Sequence, residues 1–255
     1  AVTLLIAGAP KLAVFGITIR ILVEGLTGLA TDWQEMLIVL AVFSMTLGNF
    51  AAIAQSNLKR LLAYSAIAQL GFMLLGFTPT VVDMKTVAAG NGYSSALFYI
   101  ITYVLTTLGT FGLIMVLSRN GFESEEISDL AGLSKRSPWI AGVMAIFMFS
   151  LAGIPPLVGF YAKLAVLQAL VSTGNQVYIV LAVIAVLLSL IGAYYYLRIV
   201  KTMFFDEPVD PTPIRGETGA TVLLALNGLA ALGFGVLPDG LMIACREAVL
   251  KALNS

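Results

Sequence analysis

Two lysines, Lys11 and Lys163, stand in stretches of sequence that are otherwise apolar, whereas the other Lys and Arg residues lie in or beside polar connections. A charged lysine at the centre of a bilayer costs about 2.5–3.5 kcal/mol on insertion scales, because its ammonium group loses hydration. Desolvation also disfavours the charged form itself. The chemistry that such residues predict is the uptake and release of protons inside a membrane.

Lys163 follows a sequence that should break a helix. Two adjacent prolines, Pro155 and Pro156, come directly after Gly153-Ile154, and prolines within a helix remove backbone donors. Broken membrane helices expose carbonyl groups and admit water, and transporters build ion sites there. We predict Lys163 as a proton carrier, supported by both prolines and by the nearby Tyr161. The alternative is a lysine that snorkels to the interface, but the combination of break and lysine favours the relay.

The sequence does not determine how deep Lys11 lies in the membrane. Pro10 precedes it, and a proline near the chain start can mark the beginning of a helix, which would leave Lys11 near the surface. A lysine relay and a surface lysine therefore both remain open at this position.

Other polar residues occur within apolar stretches. The run Tyr194–Tyr196 before Arg198 is typical of an interfacial aromatic belt, although one hydroxyl could line a water path. Most polar residues in the middle of predicted helices should form helix–helix hydrogen bonds, and a minority could hold water. These residues are Ser65, Gln69, Tyr99, Thr102, Tyr103, Thr106 and Thr107.

The composition requires a membrane around these residues. Hydrophobic residues make up 59% of 255 and charged residues only 11%, with a mean hydropathy of +0.97, against about 25% charged residues in soluble domains. Only helices and closed barrels satisfy the backbone in lipid. The apolar runs are too long for barrel strands of about 10 residues, so the predicted fold class is all-α, a polytopic membrane protein of about seven spanning helices.

The predicted helices follow these apolar runs, and Pro138–Val171 is too long for one straight span. The chain starts within such a run without Met, so we expect it to belong to a longer protein, as a single transmembrane domain over residues 1–255. The predicted spans are Val2–Glu24, Trp33–Ala54, Leu58–Phe77, Tyr93–Leu117, the broken Pro138–Val171, Val177–Phe204 and Thr218–Val236, followed by an amphipathic tail over 237–255.

The distribution of positive charge predicts the orientation. Cytoplasmic connections carry more Lys and Arg, and eight against four favour a cytoplasmic location for the connections after the second, fourth and sixth helices, in a bacterial inner membrane. The eight are Lys59, Arg60, Arg119, Lys135, Arg136, Arg198, Lys201 and Arg215, and the four are Arg20, Lys85, Arg246 and Lys251.

Four motifs together resemble the antiporter-like membrane subunits of respiratory complex I, the proton-pumping NADH:quinone oxidoreductase, and within that family most closely the subunit N branch. They are APKLAVFG (9–16), QSNLKRLLAYSAIAQLGF (55–72), SLAGIPPLVGFYAKL (150–164) and IGAYYYLRIVKTMFF (191–205). The resemblance covers essentially the whole chain. The lysine after the broken helix and the three tyrosines favour this branch over its paralogues.

The resemblance implies a fold with two inverted five-helix repeats, of which this chain supplies the C-terminal half. It also implies that Lys11 bridges protons from a central water chain to Lys163, which releases them to the periplasmic side. A glutamate and a further lysine of the family would fall outside this chain. Several relatives place histidine at the position of Gln69, and because glutamine cannot titrate, Gln69 is expected to hold water rather than a proton.

Cofactors and partners follow from the same reading. The sequence has no histidine and one cysteine, Cys245, so we expect no metal or iron–sulfur site here. Flavin, iron–sulfur clusters and quinone are expected in other subunits, and the partners are neighbouring membrane subunits and lipids, with no nucleic acid. Two alternatives remain, a subunit of a sodium/proton antiporter or membrane-bound hydrogenase, and a purely structural membrane subunit.

Overall fold

The protein is a bundle of membrane helices, and the predicted all-α membrane fold is confirmed. The computed structural model describes residues 2–82, 85–86, 89–118, 125–208 and 218–253. The helices are α1 (Val2–Ile19), α2 (Ala30–Ile53), α3 (Leu58–Leu74), α4 (Ala89–Leu117), α5 (Leu133–Arg136), α6 (Pro138–Ala152), α7 (Val158–Val171), α8 (Gln176–Phe205), α9 (Thr218–Val236) and α10 (Asp239–Leu253).

Several helix ends differ from the predicted bounds for local reasons. α1 ends at Ile19 and continues as a π-helical turn over Arg20–Gly25, and α3 ends at Leu74 and continues as a 3-10 segment, Leu75–Thr80, which contains Pro79. A minimal antiparallel pair, β1 (Val81–Val82) and β2 (Lys85–Thr86), follows. Within the described residues, five segments are long and apolar enough to span a membrane, and α1 and the α6–α7 pair are further apolar helices.

α4 lies at the centre of the bundle. It packs against α1, α6, α7, α9 and α10, and it is largely buried. Four polar side chains on α4, at positions 99, 102, 103 and 106, follow the i, i+3, i+4, i+7 spacing of a single helix face. That face turns towards α3, α6 and α7, where the polar residues of the bundle collect.

The outer helices carry the opposite pattern. In the most apolar windows of α2, α8 and α9, about a third or fewer of the residues are buried. On α2 the exposed residues include Val39, Phe43 and Leu47, with 56–64% of their surface accessible. Such a surface is stable only against lipid or another apolar protein.

The connections after α2, α4 and α8 meet at one end of the bundle. The backbone N–H of Leu58 donates to the carbonyl of Glu125 (2.6 Å), and that of Gly132 donates to Thr202 (3.2 Å). Lys135 pairs with Glu207 at 2.7 Å. These three connections therefore lie at the same end of the bundle. Arg119 and Arg215, which entered the charge count, lie outside the described residues.

Candidate functional site

The break between α6 and α7 leaves two backbone carbonyls without helical partners. In an α-helix the carbonyl of residue i accepts from the N–H of residue i+4. The carbonyls of Leu151 and Ala152 would need N–H groups at positions 155 and 156, and both positions are proline, which has none. α6 ends at Ala152, and Gly153 caps it with a left-handed φ of +85°. Two carbonyl groups inside the membrane are thus free to bind another donor.

Lys163 binds both of these carbonyls. Its Nζ donates to the carbonyl of Leu151 at 3.2 Å, to that of Ala152 at 3.0 Å and to the hydroxyl of Ser189 on α8 at 2.7 Å. An ammonium group has three N–H donors, so each donor has a protein acceptor. The ten residues between Ala152 and Lys163 form the break and the start of α7, and they bring Lys163 back beside the end of α6. The protonated lysine is therefore solvated by protein atoms.

Gly153 permits this close approach. A Cβ at Gly153 would lie 2.9 Å from Cδ of Lys163 and 3.2 Å from its Nζ, and its positive φ is strained for other residues. Ser150 also joins the two halves of the break, because its hydroxyl accepts from the backbone N–H of Gly159 at 3.2 Å. The local sequence around the prolines therefore builds both the break and the space for the lysine.

Gln69 on α3 joins the lysine site to the tyrosines of α4 and α8. Its Nε2 donates to the carbonyl of Leu151 at 3.0 Å, the same carbonyl that Lys163 binds, and to the hydroxyl of Tyr196 at 3.2 Å. Its Oε1 accepts from the hydroxyl of Tyr99. Gln69 is buried and its amide is engaged on both atoms, so it orients the groups around Lys163.

A small cavity lies between Lys163 and Tyr103. Its volume is about 20 Å³, and its polar lining includes Gln69, Thr102, Tyr103, Ser150 and Lys163. A cavity of this kind accommodates one water molecule when at least about 10–15 Å³ and two to four polar partners are present. The volume of this cavity meets the first condition, and its polar lining residues meet the second.

Lys11 reaches the other side of this cavity through one tyrosine. Its Nζ donates to the hydroxyl of Tyr103 at 3.2 Å and lies 4.5 Å from the centre of that ring. Pro10 lies inside α1, which runs from Val2 to Ile19, so the alternative in which Pro10 starts a helix is wrong. Lys11 is half-buried in the middle of α1. Within the described residues, neither Lys11 nor Lys163 forms an ion pair.

Some predicted residues do not join the site. Tyr161 is 38% exposed, and its ring meets Phe160 edge-on rather than Lys163, because two residues along a helix turn its side chain about 200° away. The tyrosine run also differs from an interfacial belt. Tyr194 is exposed, but Tyr195 and Tyr196 are each 1% exposed and point into the bundle. The hydroxyl of Tyr196 accepts a hydrogen bond from Gln69.

The structure adds Ser189, which sequence reasoning missed. Ser189 is a single hydroxyl in the apolar run of α8, from Ile179 to Gly192. A lone polar residue within an apolar helix is a weak signal, since it can also bond to its own backbone. Its placement opposite Lys163 depends on how α8 packs on α7, which the sequence does not reveal.

The arrangement is suited to holding and passing a proton. Lys163 can rest as an ammonium among neutral oxygen acceptors, and a hydroxyl can donate and accept at once. From Lys11 the path continues through Tyr103, the cavity and Lys163. Within the described residues no three His, Cys, Asp or Glu side chains come together as a metal site.

A comparison with protein families identifies the fold and its relatives. The profile of the family "NADH:quinone oxidoreductase/Mrp antiporter, TM" matches residues 1–189. The NADH-quinone oxidoreductase subunit N of Herminiimonas arsenicoxydans is 59% identical over the whole chain, and that of Nitrosomonas europaea is 57% identical over 99% of it. The chain spans about half the length of these relatives, 51% and 50% respectively.

Solved structures share the same arrangement of helices. A chain of respiratory complex I from Thermus thermophilus with bound aureothin is 31% identical, with a TM-score of 0.70 over 83% of this chain and 45% of that one. A chain of the Mrp complex from Dietzia sp. has a TM-score of 0.71 over 84% of this chain and 46% of its own, but only 20% identity. The second likeness is one of fold alone.

Proposed function

Since the chain belongs to the NADH:quinone oxidoreductase/Mrp antiporter transmembrane family, we propose that it translocates protons within the membrane arm of an NADH:quinone oxidoreductase. In this proposal Lys11 and Lys163 are the groups that bind and release the proton. The chain represents half of a subunit of the relatives' length, and the full subunit performs the transport.

One observation carries the proposal: three protein oxygens solvate the ammonium group of Lys163 at the place where two prolines stop α6. In lipid, an ammonium without acceptors is costly. Here the two freed carbonyls and Ser189 replace three water molecules, while neutral acceptors leave the amine able to lose its proton. A full ion pair would instead hold the charge in place.

The transfer step follows from the contacts between the lysines. The hydroxyl of Tyr103 accepts from Lys11 and lines the cavity that Lys163 also lines. A proton that leaves Lys11 can pass to this hydroxyl and then, through one water molecule in the cavity, to a neutral Lys163. The driving force is electrostatic, because a charge arriving near one lysine disfavours the charged form of the other.

The complex supplies what this chain lacks. We place flavin, iron–sulfur clusters and quinone in other subunits, a proposal supported by a sequence with no histidine and one cysteine. The exposed apolar faces of α2, α8 and α9 are suited to lipids and neighbouring membrane subunits. The connections after α2, α4 and α8 are proposed to face the cytoplasm of a bacterium, in line with their positive charge.

The alternatives receive less support. A sodium/proton antiporter or hydrogenase subunit is compatible with the fold shared with the Mrp complex, but relatives at 55–59% identity are oxidoreductase subunits. A purely structural role does not account for one lysine that lines a small cavity and a second lysine that donates to Tyr103 in the wall of the same cavity.

The test replaces Lys163 within the full-length subunit of the assembled complex. Lys163→Ala should abolish proton uptake into inverted membrane vesicles and lower coupled NADH:quinone turnover at least about a hundredfold, as expected for a proton-transfer group. Lys163→Arg should fail as well, because arginine keeps its charge and cannot release a proton. Lys135→Ala, which removes an exposed lysine, is the matched control.

The outcomes separate the three functions. Loss of pumping in both Lys163 variants, with normal complex abundance and a normal control, supports the proton relay. Normal turnover and pumping in Lys163→Ala would contradict it and leave a structural role. A transport activity that requires sodium would support the antiporter.

A further inference from the structure

We propose that Lys163 has a second route for its proton, in which Asn49 on α2 positions water between Lys163 and the end of the bundle where α2 stops. This inference rests on the proposed proton relay. It assigns a positioning role to Asn49, with Ser189 and Tyr195 as its neighbours.

A second water-sized cavity lies beside Lys163. Its volume is about 20 Å³, and α2, α3, α7 and α8 line it, with α2 contributing Met45 and Asn49 and α8 contributing Ser189 and Tyr195. The first cavity is lined by α4 and α6 instead of α2 and α8. Two small cavities, the first reaching α4 and α6 and the second reaching α2 and α8, thus adjoin the same lysine.

Asn49 is the polar group that organises the second cavity. It is 4% exposed, its Nδ2 donates to the carbonyl of Leu188 at 3.0 Å, and its Oδ1 accepts from the hydroxyl of Tyr195 at 3.0 Å. A side-chain amide has two N–H donors and two acceptor positions, so one donor and one acceptor position remain for water. Gly192 leaves room beside the oxygen, since a Cβ there would lie 3.3 Å from Oδ1.

The hydroxyl of Ser189 connects this cavity to the lysine. Ser189 accepts from Lys163 at 2.7 Å and lines the second cavity, but not the first. A hydroxyl that accepts from Lys163 can still donate to water. A proton taken up at the end of α2 can therefore reach Lys163 past Asn49 without entering the cavity that leads to Lys11.

The route continues towards the end of α2. Asn49 lies four residues before Ile53, about 6 Å along the helix axis. There Arg198 donates to the carbonyls of Ile53 at 3.2 Å and Gln55 at 2.6 Å. Its Nε is buried without a hydrogen-bond partner in the described part of the chain, and such groups are normally satisfied by water. Polar groups thus lie beside Lys163, at Asn49 and at the bundle end.

Gln69 separates the two routes. It lines both cavities together with Lys163, and its amide is held by Tyr99, Tyr196 and the carbonyl of Leu151. Because glutamine does not titrate, a proton cannot pass through it as it would through a carboxylate or an imidazole. The lysine is then the point at which both routes meet.

The experiment compares three variants in the full-length subunit of the assembled complex. Asn49→Leu fills the cavity with an apolar group, and coupled turnover and proton uptake into inverted vesicles should fall about tenfold, less than the loss of a group that itself carries the proton. Asn49→Ser, which is small and polar, should retain most of the activity. Asn227→Leu is the matched control, because Asn227 also donates to a backbone carbonyl, that of Leu105, but lines neither cavity.

The pH profile of turnover distinguishes positioning from packing. If Asn49 positions transferable water, Asn49→Leu changes the pH profile while complex abundance stays normal, and Asn49→Ser restores it. Equal losses in Asn49→Leu and Asn227→Leu with an unchanged profile would reduce Asn49 to a helix contact and overturn the inference. An unchanged Asn49→Leu would also overturn it. Normal activity of Lys163→Ala would instead overturn the proposed function, so the two failures are distinguishable.

Discussion

The two lysines lie in helices on which proline has opposite effects. α1 contains a single proline, Pro10, and continues as a helix to Ile19, whereas the tandem Pro155-Pro156 separates α6 from α7. One proline costs one backbone hydrogen bond and usually a kink. Two adjacent prolines after a left-handed glycine remove two bonds in succession and stop the helix.

The consequence is a difference in how firmly each lysine is held. Lys163 has three oxygen acceptors, two of them backbone carbonyls that the prolines release, while Lys11 has one phenolic oxygen and the face of the same ring. Backbone acceptors are fixed by the fold, whereas a tyrosine side chain can rotate. The acceptors around Lys163 are therefore held in place by the backbone, whereas the acceptor of Lys11 can move with its side chain.

The largest effect should come from restoring the backbone donors at the break. In the double variant Pro155→Ala/Pro156→Ala, new N–H groups can bond to the carbonyls of Leu151 and Ala152, and Lys163 loses two of its three acceptors. Coupled turnover should fall about a hundredfold. The loss is measured as the turnover and the proton uptake of the assembled complex. A Pro10→Ala variant should have little effect, and equal losses in both would contradict the comparison.

A smaller loss is expected when the third acceptor of Lys163 is removed. Hydrogen bonds to charged groups contribute about 1.5–3 kcal/mol, so Ser189→Ala should lower turnover at least about tenfold while the two carbonyls still hold the lysine. Steady-state turnover at saturating quinone is the measurement. Ser172→Ala, at the C-terminal end of α7, removes a hydroxyl that bonds only to its own helix and serves as the control. A loss as large as that of Lys163→Ala would mean that the carbonyls contribute little.

The smallest effect is expected on the side of Lys11. Tyr103→Phe removes the hydroxyl acceptor but keeps the ring 4.5 Å from the ammonium group, and a cation over an aromatic ring retains about 0.5–2 kcal/mol of attraction. Turnover should fall only about threefold, because a water molecule in the cavity can take the proton from Lys11 in place of the hydroxyl. Tyr194→Phe, on the exposed surface, is the control. A loss larger than that of Ser189→Ala would show that Lys11, rather than Lys163, depends most on its acceptors.

Much of this site could be predicted from the sequence because its causes are local. The prolines determine which carbonyls lose their donors, and the position of Lys163 seven residues after Pro156 places it on the first turns of α7. An apolar background makes both lysines conspicuous. The prediction of Tyr161 was wrong because proximity in sequence does not put two side chains on the same face of a helix.

Residues contributed by distant helices could not be predicted in the same way. Ser189 on α8 stands alone in an apolar run, whereas Asn49 on α2 follows Ser44 and Thr46. Either Ser189 or Asn49 could have bonded within its own helix. Tyr195 and Tyr196 show the same limit, since a run of three tyrosines on a helix covers about 200° and cannot all face one environment. Only the packing of α8 on α2 and α3 turns two of them inward and leaves Tyr194 outside.

The sequence by itself determined that the chain is a bundle of membrane helices, that one helix is broken at two prolines and that two lysines lie within apolar segments. These properties follow from hydropathy and from backbone chemistry, which act over a few residues. The tertiary structure alone decided that Tyr103 links Lys11 to the cavity, that Ser189 completes the solvation of Lys163 and that Gln69 stands between two cavities. Those contacts join residues 26 to 127 positions apart, and in a bundle whose inner and outer faces are both apolar, only helix packing selects which polar groups meet.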